Sequence, residues 1–245
     1  MKRDRRAADF RRLVTLGEST TAGGWASHRG RCWASLLEQK INLFQTLPVQ
    51  LFNSGLGANL ITREAPAYPH SGRPAADERL ERDVIRHEPD LLILAYGLND
   101  ARGGTPLPLF IATLASLINR VRERLDPLIV IVGSFYACRF RYDDPNWEHA
   151  DLIGLRQFSD ASRGVAEDHD CLFVEMISAF DGADWLMHYD GVHANDLGHQ
   201  VIADRIFGVL AANCTCLATR TKALEPQIAP WRDESTLRTP ILPHA

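Results

Sequence analysis

Three observations on this 245-residue chain predict an α/β fold with a parallel sheet between two helical layers. Five short runs, Leu13–Leu16, Val49–Phe52, Asp90–Tyr96, Leu128–Val132 and Cys171–Val174, are β-branched and almost continuously apolar instead of alternating. Strands buried on both faces look like this. Helical patterns lie between the runs, and parallel strands need such crossovers. Finally, Gly and Asn/Asp clusters follow the runs, as expected where a strand turns into a helix.

Taken in order, the stretch Trp33–Phe44 after the first run reads as a helix. A second helix covers about Asp77 to His87, with Leu80, Val84 and Ile85 inward, and stops before Glu88-Pro89 because a proline disfavours helix in the residue before it. The clearest begins at Thr105-Pro106, a capping residue followed by proline at the first helical position, and repeats Phe110, Leu114, Leu117, Ile118, Val121 and Leu125 before Asp126-Pro127. Asp151–Ala166 is helical too, weakened by Gly154 and Gly164. The last follows Asn195, with Val201, Ile202, Ile206, Val209 and Leu210 inward. The expected architecture is a three-layer α/β/α sandwich on a mostly parallel, flavodoxin-like five-stranded sheet. It spans residues 12–214, after a basic extension at 1–11 and before a tail at 215–245 that carries Pro226, Pro230, Pro240 and Pro243.

Composition narrows the function. With 45% hydrophobic and 24% charged residues the chain reads as an ordinary globular protein. Lys+Arg 27 against Asp+Glu 31 leaves a net charge of −4, so no basic excess exists to neutralise a phosphate backbone, and a nucleic-acid partner is not expected. The basic opening Met1–Arg6 leads into Ala7-Ala8-Asp9-Phe10-Arg11-Arg12, where a secretory signal would need an apolar run. No stretch approaches the ~18 apolar residues that span a bilayer. A cytoplasmic protein without a membrane partner is the expectation. Five scattered cysteines read as free thiols, and Cys214-Thr215-Cys216 lacks the second pair a zinc site would need.

In an open parallel sheet, ligands bind beyond the carboxyl ends of the strands. Gly17-Glu18-Ser19-Thr20 follows the first run, Asn53-Ser54-Gly55-Leu56-Gly57-Ala58-Asn59 the second and Gly97-Leu98-Asn99-Asp100 the third; Asp190-Gly191-Val192-His193 precedes the last helix. Each alone could be an ordinary turn or cap. Gly55-x-Gly57 opens like a dinucleotide fingerprint, but its third glycine would fall at Leu60, which weakens a nucleotide-binding reading.

Together, and in this order, the four blocks resemble the SGNH hydrolases, also called GDSL esterases and lipases. The resemblance spans about Leu13 to Leu210 and implies a nucleophile at Ser19, a base at His193 oriented by Asp190, and an oxyanion hole from Ser19, Asn99 and a residue of the second block. Two departures stand out. Glu18 replaces the commoner aspartate, and Ala58 stands where a glycine is usual, with Gly57 one residue earlier. Only a backbone N–H is needed there, so alanine serves if its φ is negative; Gly57 and Ala58 both stay candidates.

The chemistry agrees with the resemblance. A serine hydroxyl is a weak nucleophile until a base takes its proton, and imidazole has a pKa near ~6.5. A carboxylate three residues earlier can hold the other ring nitrogen. The expected activity is a serine esterase without a cofactor, with acyl transfer, thioester hydrolysis or lysophospholipid hydrolysis as variants of one acyl-enzyme chemistry. A metal site at His188, Asp190 and His193 and a catalytically inactive ligand-binding module are the rivals. His199 is expected to pack or cap, Trp25 and Trp33 to lie in the core, and Glu18 to brace its loop. The segment Phe135–His149 leaves the fourth strand at the catalytic edge with aromatic and polar side chains, so Tyr136 and Trp147 are the candidate substrate contacts. That mixture suits a short-acyl ester of a carbohydrate or another polar small molecule.

Overall fold

The computed structural model describes residues 3–141 and 143–228. The five apolar runs form one parallel sheet in the order β2-β1-β3-β4-β5, where β1 is Arg12–Gly17, β2 Gln50–Gly55, β3 Leu91–Ala95, β4 Leu128–Val132 and β5 Leu172–Val174. β3 and β4 are buried along their whole length, which accounts for their unbroken apolar sequence. β2 runs further than its apolar residues, because Asn53, Ser54 and Gly55 pair with Thr15, Leu16 and Gly17. At this sheet edge polar side chains find partners: Asn53 accepts from the Thr15 hydroxyl and donates to the Thr21 carbonyl.

Between the strands run α2 (Trp33–Phe44), α4 (Ala76–Asp83), α6 (Leu107–Arg122), α7 (Leu152–Asp168) and, after β5, α9 (Asp196–Asn213); the shorter α1 (Ser19–Ala22), α3 (Tyr68–Ser71), α5 (Leu98–Arg102), α8 (Ile177–Phe180) and α10 (Thr219–Leu224) lie in the connections. α2 and α9 pack together, while α4, α6 and α7 form the opposite layer. The chain moves outward from β1 to β2, then returns past β1 to β3. Right-handed crossovers then put α2 and α4 on opposite faces, leaving a crevice where the order reverses, between the carboxyl ends of β1 and β3.

Local chemistry sets the helix ends. Asp151 accepts the Gly154 N–H at 2.8 Å, so this glycine sits in the first turn of α7, where it weakens the helix little. Asn195 caps α9 through the N–H groups of Leu197 and Gly198. α6 starts later than its sequence suggests, with Pro106 as its N-cap, because the Thr105 hydroxyl turns inward to Asp100 at 3.1 Å.

The extension before β1 is tied down: Phe10 is buried, the Arg5 N–H reaches the Asn213 carbonyl at 2.8 Å, and Asp4 accepts from Thr215. Beyond α9, α10 lies between two 3-10 turns, Thr215–Ala218 and Glu225–Gln227; residues 229–245 of the predicted tail lie outside the described residues. All five cysteines are free thiols. Among the described residues, no single helix is long and apolar enough to cross a membrane.

Candidate active site

Ser19 opens α1 two residues beyond the end of β1, and its N–H has no acceptor within that helical turn. α1 lies almost against the end of β2, which only a glycine permits: a Cβ on Gly55 would stand 2.0 Å from the Ala22 nitrogen. The loop before α9 closes on the same spot. It is pinned by the His188 N–H on the His193 carbonyl at 2.8 Å and turns at Gly191, whose φ is +70° and where a Cβ would meet Arg139 at 2.7 Å. Within this loop Asp190 Oδ1 accepts the N–H groups of Val192 at 2.9 Å and His193 at 3.0 Å. Its Oδ2 lies 2.6 Å from His193 Nδ1, and His193 Nε2 lies 2.7 Å from Ser19 Oγ.

A carboxylate only accepts, so the imidazole proton belongs on Nδ1 and the bare Nε2 lone pair faces the serine hydroxyl. Burial pushes the His193 pKa down, and the hydrogen bond and charge of Asp190 only partly oppose it, so it falls below the ordinary value. Burial raises Asp190, but the two backbone N–H groups and the imidazole outweigh it and hold it below the usual carboxylate range. At neutral pH the pair is therefore carboxylate and neutral imidazole, the state in which Nε2 accepts a proton.

The opposite wall is built from α5 and the loop after β2. The Asn99 Nδ2 group donates to the Asn59 carbonyl at 3.2 Å, which uses one of its two N–H bonds. Its backbone N–H goes to Glu18 Oε1 at 2.9 Å, and the same oxygen takes the Gly97 N–H at 3.2 Å. Glu18 thus braces the loop after β3. It is fully buried, and burial together with nearby Asp100 pushes its pKa well above the ordinary value. Ala58 has φ +51°, so the negative φ that would suit alanine is not met, and its carbonyl is held by the Ser71 hydroxyl at 2.6 Å. Gly57 needs no such conformation and has open space where a Cβ would be.

Beneath this wall lies a group that the motifs did not reveal. The guanidinium of Arg79, almost wholly buried, donates to Asn59 Oδ1 at 3.1 and 2.7 Å, to the Gly17 carbonyl at 3.1 Å and to the Ser54 carbonyl at 2.7 Å. It also pairs with Asp83 at 2.9 Å and meets the Tyr96 hydroxyl at 2.7 Å. One cation thereby ties the carboxyl ends of β1, β2 and β3 together. Its only trace in the sequence is the Arg79 to Asp83 spacing on α4, which any exposed helix face could show.

Other side chains lie differently from their sequence reading. Trp33 is core, but Trp25 is not: it is 47% exposed, takes φ +66°, and stacks on the His193 ring with centroids 3.7 Å apart and 8° between planes. The preceding Gly23-Gly24 was the available signal that this tryptophan sits on a turn. His199 is fully buried and packs as expected, accepting the Trp33 N–H and donating to the Gly24 carbonyl. The Phe135–His149 segment does border the catalytic loop, since the N–H groups of Cys138 and Arg139 both reach the Gly191 carbonyl. Tyr136 is nearly buried with its hydroxyl on Asp184 at 2.9 Å, and burial first, then that bond, pushes it up to about 12. Trp147 packs on Leu60, Ala65 and Ala67. Both therefore anchor their segment.

A lipase/acylhydrolase from Enterococcus faecalis superposes with a TM-score of 0.63 at 17% identity, covering 91% of this chain and 100% of that one. Axe2, an acetylxylan esterase from Geobacillus stearothermophilus, gives 0.63 at 20% identity over 84% and 95%. LAE5, an alpha/beta hydrolase enzyme from the metagenome of Lake Arreo, Spain, gives 0.63 at 23% over 86% and 97%. These likenesses show a shared fold. No match is found among curated proteins. The model of the GDSL-like lipase/acylhydrolase family matches residues 15–201, from within β1 to within α9 and so across all four blocks around Ser19, and the chain belongs to that family of ester hydrolases.

Proposed function

We propose that the chain is a serine esterase that removes short acyl groups by way of an acyl-enzyme on Ser19. The observation that carries this reading is the unbroken line from Ser19 Oγ to His193 Nε2 at 2.7 Å and from His193 Nδ1 to Asp190 at 2.6 Å. His193 takes the Ser19 proton as Oγ bonds to the ester carbonyl carbon and the carbonyl electron pair moves onto oxygen. That oxyanion would be met by the N–H groups of Ser19 and Gly57 and by the second N–H of Asn99 Nδ2. Its collapse expels the alcohol, which leaves with the proton from His193. Water then repeats the sequence: its proton passes to His193, its oxygen bonds to the acyl carbon, and collapse returns Ser19 with its hydroxyl and releases the carboxylic acid. Asp190 stays ionised throughout and steadies the imidazolium.

The substrate we infer is an O-acetyl or similarly short ester of a carbohydrate or other polar small molecule, hydrolysed in the cytoplasm without a cofactor. Two features support it: the segment Phe135–His149, which borders the catalytic loop at Cys138 and Arg139 and carries polar side chains, and the fold shared with an acetylxylan esterase. The test is hydrolysis of acetyl, butyryl, octanoyl and palmitoyl esters, followed by acetate release from acetylated xylooligosaccharides, with Ser19→Ala as control. kcat/KM should be highest for acetyl or butyryl, and Ser19→Ala should lower kcat on the order of 10⁴-fold or more. A maximum at eight or more carbons would sink the short-acyl claim, and a near-normal Ser19→Ala rate would end the serine mechanism.

A further inference from the structure

We propose that Trp25 is a positioning residue for His193, keeping the imidazole aligned when the serine hydroxyl no longer does so. The role rests on the serine-esterase reading above. Trp25 does not occupy its place for burial, since it is 47% exposed, nor for backbone comfort, since its φ is +66°. A bulky residue in the left-handed region is held there only when its surroundings impose it.

Those surroundings can be named. Gly23, at φ +91°, and Trp25 turn the chain back over the nucleophile, and the intervening Gly24 donates its N–H to the Ser19 carbonyl at 2.9 Å. The Gly24 carbonyl receives His199 Nε2 at 3.2 Å, from a ring whose Nδ1 already accepts the Trp33 N–H at 3.3 Å. His199 is fully buried, and burial lowers its pKa, so it stands as a neutral imidazole with its proton on Nε2. The turn bearing Trp25 therefore hangs from Ser19, from α9 through His199, and through it from the start of α2. Its product is the parallel stack at 3.7 Å and 8°, and the His188 ring stands edgewise to the same indole at 5.9 Å.

The His193 ring has three tethers: Ser19 Oγ, Asp190 Oδ2 and the indole face. Acylation removes the first, because the esterified Oγ has no hydrogen to donate. One hydrogen bond to Asp190 then leaves the ring able to tilt about that bond, while water must be met by Nε2 in the same place. A flat ring lying parallel at van der Waals distance blocks the tilt. The imidazolium formed in each half-reaction also lies over an aromatic face, a contact that converts to about 2- to 30-fold in rate.

The test compares Trp25→Leu, which keeps an apolar cover without a π face, with Trp25→Phe, which restores one; Trp25→Gly suits the positive φ and serves where the leucine variant does not fold. With 4-nitrophenyl acetate the leucine or glycine variant should lose about 2- to 30-fold in kcat with KM changed less than about twofold, and phenylalanine should recover most of the loss. Inactivation by diethyl 4-nitrophenyl phosphate, which needs His193 as base while Ser19 Oγ still holds the ring, should slow by a smaller factor than kcat falls. Unchanged kcat, a change confined to KM, or a phenylalanine variant no better than leucine would overturn the role. Persistence of normal hydrolysis in Ser19→Ala would instead overturn the serine reading on which it rests.

Discussion

The carboxylate of Glu18 takes the backbone N–H of Asn99 at 2.9 Å, so the residue before the proposed nucleophile sets the position of the residue that supplies the proposed oxyanion amide. The proposed nucleophile and oxyanion donor are thereby linked through one side chain, although they are 80 residues apart in sequence. Burial and nearby Asp100 hold the Glu18 pKa well above its ordinary value, and each bond asks only for an acceptor oxygen, which a neutral side chain also offers.

Glu18→Gln is therefore expected to keep the two backbone bonds and to stay within about threefold of the parent kcat. Glu18→Ala leaves the Gly97 and Asn99 N–H groups buried without an acceptor, at about 1–3 kcal/mol each, and should lower both the thermal midpoint and kcat. Thermal denaturation beside steady-state kinetics checks this; equal losses in the two variants would show that charge, not the acceptor oxygen, matters.

Asn99→Ala should lower kcat by ~10²–10³ with a smaller change in KM, since the oxyanion exists only along the reaction path. Gly57→Pro removes the N–H assigned to the same oxyanion and should cost a comparable factor. Ala58→Gly should leave kcat intact and raise the thermal midpoint slightly, because φ +51° costs alanine about 1–2 kcal/mol that glycine does not incur. An unaffected kcat in Gly57→Pro would remove Gly57 from the oxyanion hole and leave Ala58 as the candidate donor.

Arg79→Ala should destabilise the fold by about 3–5 kcal/mol, because Asp83 and the carbonyls of Gly17 and Ser54 lose a buried cation. Arg79→Lys should recover only part of this, since an ammonium cannot present the planar fork that reaches Asn59, Gly17 and Ser54 together. Urea unfolding measures the difference; equivalence of lysine and arginine would count against the three-strand tie.

The pH profile carries a sign. His193 works as the neutral base, and burial outweighs Asp190 in placing its pKa below the ordinary ~6.5. kcat/KM should therefore rise with pH through an apparent pKa below ~6.5 and be level at neutral pH. Asp190→Asn removes the group that opposes the shift, so the inflection should move lower still, with a smaller loss of kcat than Ser19→Ala. An inflection above 7 in the parent would contradict the assignment of His193 as the buried base.

Much of this protein was legible in its sequence because the signals are local. Unbroken apolar runs such as Leu128–Val132 mark strands buried on both faces, and α2 at Trp33–Phe44 follows its pattern residue for residue. The four blocks that meet at Ser19 could be read because a parallel sheet brings every strand's carboxyl end to one edge, whatever the intervening chain does. Tertiary structure decided whatever depends on a neighbour distant in sequence. The Thr105 hydroxyl leaves its capping post for Asp100, β2 continues through Asn53 because Thr15 and Thr21 supply its partners, and Ala58 is held at positive φ. Arg79 looks like a surface charge on α4 until three strand ends converge on it, and Trp25 looks like core until a turn hung from Ser19 and His199 lays it on His193. Composition and periodicity report which side chains leave water; only the packed chain fixes which polar atoms and ring faces meet there.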